Sequence, residues 1–353
     1  MNKPIYHITP EKGWMNDPNG LVEYNGVYHV FYQADPEHLI NENIGWGHKI
    51  SSDLLHWEEC QPALLPDQSY DRDGCFTGSA VIKDDKMYLL YTGHVNQESG
   101  YIETQNLAVS KDGIHFEVDE HPAIFPLAEE ESWGMEDPRI TKIDDRYYIN
   151  YTSVTENGAG TSLISTKDFC TFERHGIIFA PENKDVTIFP QKINGKYIAF
   201  NRPVPSGIGN PQMWIAKSPD LIHWGEQRHF CGISSDTESW DDGRIGGGAV
   251  PFLTDKGWVK IYHAADRNDR YCLGAFLLDE KDPSIVLAKT KDPILEPQEK
   301  YETNGFFGNV VFSCGCLVND NKVIIYYGAA DDKICRADFE LDDLFAAMEY
   351  FDV

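Results

Sequence analysis

The sequence is poor in basic residues and has no long apolar run. No stretch approaches the roughly 18 consecutive apolar residues of a membrane-spanning helix, and residues 1–20 lack the apolar core of a secretory signal. Lysine and arginine number 30 against 57 aspartate and glutamate residues, and the net charge of −27 repels nucleic-acid backbones and anionic membranes. These absences predict a cytoplasmic protein with no nucleic-acid or membrane partner.

Cysteine is present, but without the spacing of a metal site or a disulfide framework. The chain has no Cys-x-x-Cys pair and no histidine at ligand spacing from a cysteine. We therefore predict no metal centre and no disulfide, and we expect buried thiols in a reducing compartment. The eight cysteines are Cys60, Cys75, Cys170, Cys231, Cys272, Cys314, Cys316 and Cys335.

Aromatic strands recur along the chain at intervals of roughly 60 residues, the length of a four-stranded propeller blade. Each follows an Asn-Gly, Asp-Asp or similar turn and alternates in the manner of a half-buried antiparallel strand. The six copies lie at residues 25–33, 84–93, 144–153, 194–203, 256–266 and 319–331.

A Ser-x-Asp turn or a close variant follows several of these strands and ends on an aromatic residue. Copies lie at 51–57, 110–116, 165–172 and 218–224, with a weaker one at 277–286. Such side chains bond nearby backbone groups, so we interpret these turns as structural. The sequence predicts an all-β fold: a single β-propeller domain over residues 1–353 with six repeat units. Five blades are the alternative.

The innermost strand of a propeller blade lines the central channel, so the start of each repeat is a candidate site. Repeat units begin near residues 14, 75, 134, 184, 244 and 308. Two of these openings carry an aspartate before proline, Asp17 and Asp137. Asp-Pro often only begins a turn, but glycoside cleavage needs two carboxyl groups, one as acid and one as base or nucleophile. We predict that Asp17 and Asp137 form this pair.

A series of motifs lies in order between Trp14 and about Phe116: WMNDPNG, YHVFYQ, WGHKISSDLLHW, YDRDGCFTGSAV and YTG. This part of the chain resembles glycoside hydrolase family 32, the invertases and other β-fructofuranosidases. The resemblance implies that Asp17 is the nucleophile and that Asp137 stabilises the transition state. The general-acid glutamate of that family has no counterpart here, because residues 188–190 read Ile-Phe-Pro.

A second series, within residues 78–341, includes EDPRI, FERHG, KDVTIFPQKINGKY, NRP, SPDLIHWG, IGGGAVP, YETNGFFGNVVFSCG and YYGAAD. These motifs resemble glycoside hydrolase family 130, the β-mannoside phosphorylases and hydrolases. The resemblance implies that Asp137 is the proton donor and that Asp331 holds the sugar. It also implies three residues close to the site: Arg139, Lys184 and Asp185.

Two departures from the family 130 pattern argue against phosphorolysis. Asn201 stands where a phosphate-binding histidine is common, and Glu156, before Asn157, repels phosphate. A phosphorylase needs one acid, because phosphate is the nucleophile, whereas a hydrolase needs a second carboxylate. Asp17 supplies that carboxylate, and Asp185 is the candidate for the missing acid.

The sequence therefore predicts a glycosidase that removes a terminal sugar from a short oligosaccharide in the manner of a β-fructofuranosidase, without a cofactor. A family 130-type β-mannoside hydrolase or phosphorylase is the alternative. Inorganic phosphate is then a co-substrate, with Arg174, His175 and Lys184 as candidate ligands. A non-catalytic carbohydrate-binding propeller is the second alternative. The sequence is compatible with a homo-oligomer.

Aromatic and polar side chains complete the predicted sugar site, because aromatic faces stack on sugars and polar groups bond their hydroxyls. Residues 91–93, Tyr-Thr-Gly, replace an arginine that the mannoside enzymes usually carry. The candidate substrate-binding residues are Trp14, Asn16, Trp46, Phe76, Ser79, Arg139, Lys184, Asn201, Arg202, His263 and Asp331.

Overall fold

The computed structural model describes residues 7–10, 12–38, 42–127, 129–205, 207–231, 239–313 and 315–352. These residues form six antiparallel sheets and two short helices. The contacts divide the chain into two compact units, which we call unit 1 (Met1–Pro181 with Asp332–Ile334) and unit 2 (Glu182–Asp331 with Cys335–Val353). None of the helices described is both long and apolar enough to span a bilayer.

Unit 1 contains three four-stranded sheets in which strands adjacent in sequence are paired. The first sheet consists of β1 (Trp14–Tyr24), β2 (Val27–Asp35), β3 (Gly45–Ser51) and β4 (Glu58–Glu59). The second consists of β5 (Gly74–Lys83), β6 (Lys86–Gln97), β7 (Gly100–Ser110) and β8 (Glu117–Val118). The third consists of β9 (Gly134–Ile143), β10 (Arg146–Thr155), β11 (Gly158–Thr166) and β12 (Glu173–Phe179).

Unit 2 contributes the other three sheets except for Lys333 and Ile334 of the last strand. In the last two of these sheets the first strand is split into two pieces. The fourth sheet consists of β13 (Asn183–Ile188), β14 (Tyr197–Pro203), β15 (Met213–Ser218) and β16 (Gly225–Cys231). The fifth consists of β17 (Arg244–Gly246), β18 (Phe252–Thr254), β19 (Gly257–Ala265), β20 (Tyr271–Leu278), β21 (Val286–Thr290) and, at its edge, β26 (Met348–Tyr350). The sixth consists of β22 (Val311–Phe312), β23 (Leu317–Asn319), β24 (Lys322–Ala329) and β25 (Lys333–Glu340). The helices are α1 (Lys300–Thr303) and α2 (Leu341–Ala346).

The predicted aromatic strands are the second strands of their sheets, and the preceding turns explain their sequences. Asn25 and Gly26 have φ of 53° and 77°, and Asp84 and Asp85 have φ of 48° and 55°. Two successive positive φ values define the tight hairpin turn that matches strand twist, and Asn, Asp and Gly tolerate it best.

The Ser-x-Asp turns are structural, as predicted. In the first copy the Asp53 carboxylate accepts the backbone N–H groups of Leu55 and His56, both at 2.8 Å, and the Ser51 hydroxyl at 3.0 Å. The pKa of the Asp53 carboxyl group is well below its usual range, because hydrogen bonds from the His56 backbone, the His56 side chain and the Leu55 backbone stabilise the charged form. The turn is thus closed by its own side chains.

Large aromatic residues form much of the core. Phe31, Trp46 and Tyr91 are fully buried in one cluster of unit 1, and Trp258 and Tyr262 lie in a cluster of unit 2. The fold class is the predicted one: all-β, with six sheets corresponding to the blades of a six-bladed β-propeller.

The cysteines are only partly as predicted. All seven within the described residues are free thiols. Cys75, Cys272 and Cys335 are buried, but Cys170 is exposed, because it lies in the turn between β11 and β12. The expectation of buried thiols is therefore wrong for Cys170. Cys60, Cys231 and Cys316 are half-buried, and Cys314 lies outside the described residues.

Candidate active site

Asp137 lies in a β-bulge of β9, the first strand of the third sheet. The register of β9 against β10 shifts across this residue, and its φ of 53° is a left-handed conformation that is costly for a residue with a side chain. The following Pro138 disfavours helical backbone at Asp137 as well. The bulge presents an exposed Asp137 side chain on an otherwise half-buried strand, which is how bulges re-aim side chains near active sites.

Two buried side chains from the neighbouring sheet hold this bulge. The Thr92 hydroxyl oxygen accepts the Asp137 N–H at 3.2 Å, and the Gln105 amide donates to the Met135 carbonyl at 2.6 Å. Gln105 also donates to the Thr92 hydroxyl at 3.4 Å. Thr92 and Gln105 are 1% and 0% exposed. The conformation of Asp137 is therefore set by groups that are far away in sequence and packed in place.

Neither Gln105 nor this use of Thr92 was found by reasoning from the sequence. A signal was present, because residues 103–106 read Glu-Thr-Gln-Asn inside β7 and all four are buried. Four consecutive buried polar side chains in a strand need hydrogen-bond partners, so such a run indicates a supporting or functional role.

The predicted substrate contact of Ser79 is used differently in the structure. Its hydroxyl donates to the carbonyl of Pro138 at 2.6 Å, directly after Asp137. The Ser79 hydroxyl thus supports the β9 bulge, and its contact with a sugar stays a prediction, because the oxygen can still accept a hydrogen bond.

Asp17 lies on β1 between two asparagines with unsatisfied side-chain atoms. Asn19 is 5% exposed, and within the described residues neither its amide oxygen nor its nitrogen has a hydrogen-bond partner. The Oδ1 atom of Asn16 is also buried and, within the same residues, lacks a partner. Buried polar atoms without partners are costly, and sugar hydroxyls satisfy both donors and acceptors. Asn16 thus remains a candidate sugar ligand, and Asn19 is added to it.

The strands that carry the two predicted catalytic aspartates flank the same strand. β1 contacts β5, and β5 contacts β9. The close approach of β1 and β5 requires Gly20, because a Cβ there would meet that of Ala80 at 2.7 Å. Asp17 and Asp137 therefore lie on the first and third sheets of unit 1, on either side of the second sheet, and their action on one sugar stays a prediction.

The tryptophans predicted to stack on a sugar belong to the core. Trp14 is 3% exposed and Trp46 is fully buried, and the Trp46 indole N–H donates to the Phe76 carbonyl at 3.0 Å. We correct both predictions, because neither ring has an exposed face to offer. The half-buried Phe76 ring is stacked on His94, with 4.6 Å between centroids.

In unit 2, Asp185 occupies a bulge of β13 with a φ of 58°. Its carboxylate lies 3.1 Å from the Arg202 guanidinium and 3.2 Å from His263 Nε2. A neighbouring cation favours the ionised form of a carboxylate. Asp185 is therefore better placed to accept hydrogen bonds and to orient Arg202 than to serve as the missing acid.

The Gly246-Gly247-Gly248 run allows this cluster to pack. A Cβ at Gly246 would clash with the Asp185 carboxylate and would lie 2.9 Å from His263 Nε2. At Gly247 it would approach the Asp185 carbonyl to 2.8 Å. The glycine run thus leaves space for the Asp185 side chain.

The remaining predicted residues of unit 2 have different environments. Asn201 is 1% exposed, and its Oδ1 accepts a hydrogen bond from Asn183 at 3.0 Å. Its Nδ2 has no hydrogen-bond partner among the described residues, and its sugar contact stays a prediction. Asp331 is half-buried with a φ of 50°, and burial raises its pKa. The Lys184 side chain is exposed, and no hydrogen bond or ion pair joins its ammonium group to another described residue.

Two of the candidate phosphate ligands are engaged elsewhere. The Arg174 guanidinium is paired with the buried Glu131 at 3.0 Å and also donates to the Phe125 carbonyl. His175 shares a hydrogen bond of 2.8 Å with Ser165, and burial lowers its pKa. Both side chains thus stabilise the third sheet. The described residues also contain no cluster of His, Cys, Asp and Glu side chains fit for a metal ion.

Comparison with known proteins gives a match over most of the chain. The model of glycoside hydrolase family 130, described as β-1,4-mannooligosaccharide phosphorylase, matches residues 94–350. A β-1,2-mannobiose phosphorylase of Listeria innocua is 44% identical over 355 residues, covering 98% of this chain and 94% of its own. The solved structure of the Listeria innocua enzyme with β-1,2-mannobiose covers 98% of this chain and 99% of its own, with a TM-score of 0.65 and 38% identity.

The family 32 resemblance extends over a smaller part. A raffinose invertase of Escherichia coli is 50% identical over 119 residues, which is 32% of this chain and 25% of the invertase. The comparisons therefore fully support the predicted relationship to family 130, and they support the relationship to family 32 only for part of the chain. The chain is a glycoside-active enzyme and belongs to glycoside hydrolase family 130.

Proposed function

We propose that this enzyme is a β-mannoside phosphorylase that acts on β-1,2-linked mannosides. The observation that carries the proposal is 44% identity over 98% of the chain to a β-1,2-mannobiose phosphorylase. The prediction of a β-fructofuranosidase has support only from partial matches, so we favour the alternative that the family 130 motifs suggested.

Phosphorolysis needs one protein acid, and Asp137 is the residue proposed for it. Its carboxyl group donates a proton to the glycosidic oxygen while a phosphate oxygen attacks the anomeric carbon. The bond from the anomeric carbon to the leaving sugar breaks, and the bond to phosphate forms. A single displacement inverts the anomeric centre, so a β-mannoside gives α-mannose 1-phosphate.

The exposed, strained Asp137 supports this assignment. Strain in a left-handed aspartate persists only when the surroundings impose it, and here Thr92 and Gln105 do so through the backbone. The side chain itself remains exposed. We assign Asp17 to sugar binding with Asn16 and Asn19, because phosphate replaces the second carboxylate that hydrolysis requires.

In unit 2, Lys184 is the candidate phosphate ligand that is not engaged in the packing of a sheet. It is exposed on β13 next to Asp185, whose carboxylate is paired with Arg202. An unengaged ammonium attracts an anion, which matters in a chain with a net charge of −27. His263 and Asp331 are the other proposed sugar ligands of this unit.

The test is a substrate screen of the whole chain with and without inorganic phosphate. The substrates are β-1,2-mannobiose, β-1,4-mannobiose and sucrose, and the products are followed by proton and phosphorus NMR. We expect α-mannose 1-phosphate from β-1,2-mannobiose in the presence of phosphate and little turnover in its absence. Release of free mannose without phosphate would replace phosphorolysis by hydrolysis, and turnover of sucrose would restore the fructofuranosidase prediction.

A further inference from the structure

Two pairs of polar side chains lie side by side on one face of the second sheet, next to the strand that carries Asp137. Across β6 and β7, Thr92 is paired with Gln105 and His94 with Glu103. Residues two positions apart in a strand point to the same face of a sheet, and β9 contacts both β6 and β7. Thr92 and Gln105, which we call the clamp, hold the β9 bulge. His94 and Glu103 are adjacent to the clamp and have no role in the mechanism so far.

The hydrogen bonds of His94 are those of a protonated ring. Its Nδ1 atom lies 2.9 Å from Oε1 of Glu103, and its Nε2 atom lies 3.3 Å from Oδ1 of Asn96. A neutral imidazole has one N–H group, whereas an imidazolium donates from both nitrogens. The side chains of His94 and Glu103 are 13% and 5% exposed. The two groups thus form an ion pair that is largely shielded from water.

The titratable groups around His94 favour its charged form. Burial by itself lowers the pKa of this histidine, but the hydrogen bond and charge of Glu103, together with the charge of Asp73, raise the pKa of His94 above its usual value. The Tyr101 ring, whose centre lies 5.2 Å from that of His94, is uncharged, because burial and the nearby carboxylate of Glu136 raise its pKa. His94 therefore keeps its proton to a higher pH than an exposed histidine does.

This ion pair is packed against the same strands that the clamp joins. On β5, the Phe76 ring stacks on His94, and Phe76 is the cross-strand partner of Thr92. On β9, a Cβ at Gly134 would lie 2.8 Å from the backbone nitrogen of Glu103. Oε2 of Glu103 is buried and has no hydrogen-bond partner among the described residues. Loss of the His94 proton would leave this carboxylate buried without a compensating charge, which is costly.

We infer that His94 is a positioning residue for Asp137, because its ion pair with Glu103 keeps β6 and β7 in the arrangement in which the clamp holds the bulge. The inference rests on the proposed function, in which Asp137 is the proton donor. A histidine whose pKa is raised by folding stabilises the folded state at low pH, and this stabilisation is lost as the pH rises through the raised pKa. Loss of the His94 proton therefore loosens the bulge on the alkaline side of the usual histidine range.

The first test is hydrogen exchange of the backbone of residues 134–140, followed by mass spectrometry at neutral pH, which measures how firmly the bulge is held. His94→Gln keeps a donor for Glu103 but removes the charge, and we expect exchange of this segment to become about tenfold faster. Glu103→Gln, which removes the anionic partner, has the same effect. The matched control is His115→Gln, because His115 forms an exposed ion pair with Asp112 at 2.7 Å just after β7. It leaves the exchange of this segment unchanged.

The second test is the pH profile of kcat, measured between about pH 6 and pH 9 with the substrate that the screen identifies. We expect two alkaline ionisations in the wild type, one from Asp137 and one from His94, and only the first in His94→Gln. At neutral pH, kcat of this variant is about tenfold lower with little change in KM, because His94 acts through the bulge.

The two tests separate this inference from the proposed function. Unchanged exchange in both variants overturns the inference, whether or not any mannoside is phosphorolysed. Faster exchange without phosphorolysis of any substrate supports the positioning role of His94, while the proposed function fails. A kinetic change confined to KM would place His94 in substrate binding and overturn the inference. Where a variant does not fold, the wild-type profile decides, because a single alkaline ionisation of kcat overturns the inference.

Discussion

Asp137 in unit 1 and Asp185 in unit 2 share one backbone device but differ in what supports it. Both lie in bulges of the first strand of a sheet, with φ values of 53° and 58°. Asp137 is held through its backbone by Thr92, and its side chain is exposed. Asp185 is held through its carboxylate by Arg202 and His263.

This difference teaches that a strained aspartate alone does not identify a proton donor. A carboxylate beside a guanidinium is stabilised in its charged form, whereas Thr92 supports Asp137 through its backbone N–H. The four predictions that follow test this contrast, from the largest expected effect to the smallest.

The first prediction is that Asp137→Asn lowers kcat by roughly 10²–10⁴-fold, the usual contribution of a positioned general acid. Asparagine tolerates the left-handed conformation, so the fold is retained. Asp144→Asn is the matched control, because Asp144 is an exposed aspartate with a φ of 54° in the turn after β9. Phosphorolysis by the variant at the wild-type rate would remove Asp137 from the mechanism.

The second prediction is a smaller loss for Asp185→Asn. Removing the charged partner of Arg202 and His263 is expected to lower kcat/KM roughly ten- to a hundredfold, which corresponds to about 1.5–3 kcal/mol for a lost contact to a charged group. We expect most of the change in KM, because His263 is a proposed sugar ligand and Arg202 is a predicted one. A loss as large as that of Asp137→Asn, carried by kcat alone, would make Asp185 the acid instead.

The third prediction concerns the backbone support of Asp137. Thr92→Val keeps the shape of the side chain but removes the acceptor for the Asp137 N–H, and we expect kcat to fall about tenfold with little change in KM. Thr92→Ser restores the hydroxyl and should restore most of kcat. If serine and valine behave alike, Thr92 contributes packing and not positioning.

The fourth prediction is structural. Gly246→Ala forces the Asp185 side chain away from its partners, and we expect the free energy of unfolding to fall by about 1–3 kcal/mol, as in other overpacked sites. Gly225→Ala is the control, since a Cβ at that position of β16 meets no atom within 4 Å. Thermal denaturation of both variants measures the difference, and equal midpoints would contradict the predicted clash.

Much of the fold was accessible from the sequence because its signals are local. The Asn25-Gly26 turn, the alternating strand that follows it and the Ser51–Asp53 hydrogen bonds involve residues only a few positions apart. A roughly 60-residue recurrence of such signals is enough to predict repeated antiparallel sheets.

The functional details were less accessible. Trp46 and Asn201 have residue types that suit sugar binding, yet both are buried because of neighbours contributed by other strands. The position of Ser79 at the start of a repeat predicts a side chain that lines the channel. Only the folded structure shows that its hydroxyl donates to the Pro138 carbonyl and supports the bulge. Burial of a side chain depends on the packing of whole sheets, which a local pattern does not encode.

The sequence by itself determined the all-β class, the number of repeats, the turns and the two strained aspartates as candidates. The tertiary structure decided how each aspartate is supported, since Thr92 lies 45 positions from Asp137 and Gly246 meets Asp185 only through packing. The physical reason is that turns and alternation follow from interactions between near neighbours in the chain. Ion pairs, burial and backbone clamps arise from residues that only the folded chain brings together.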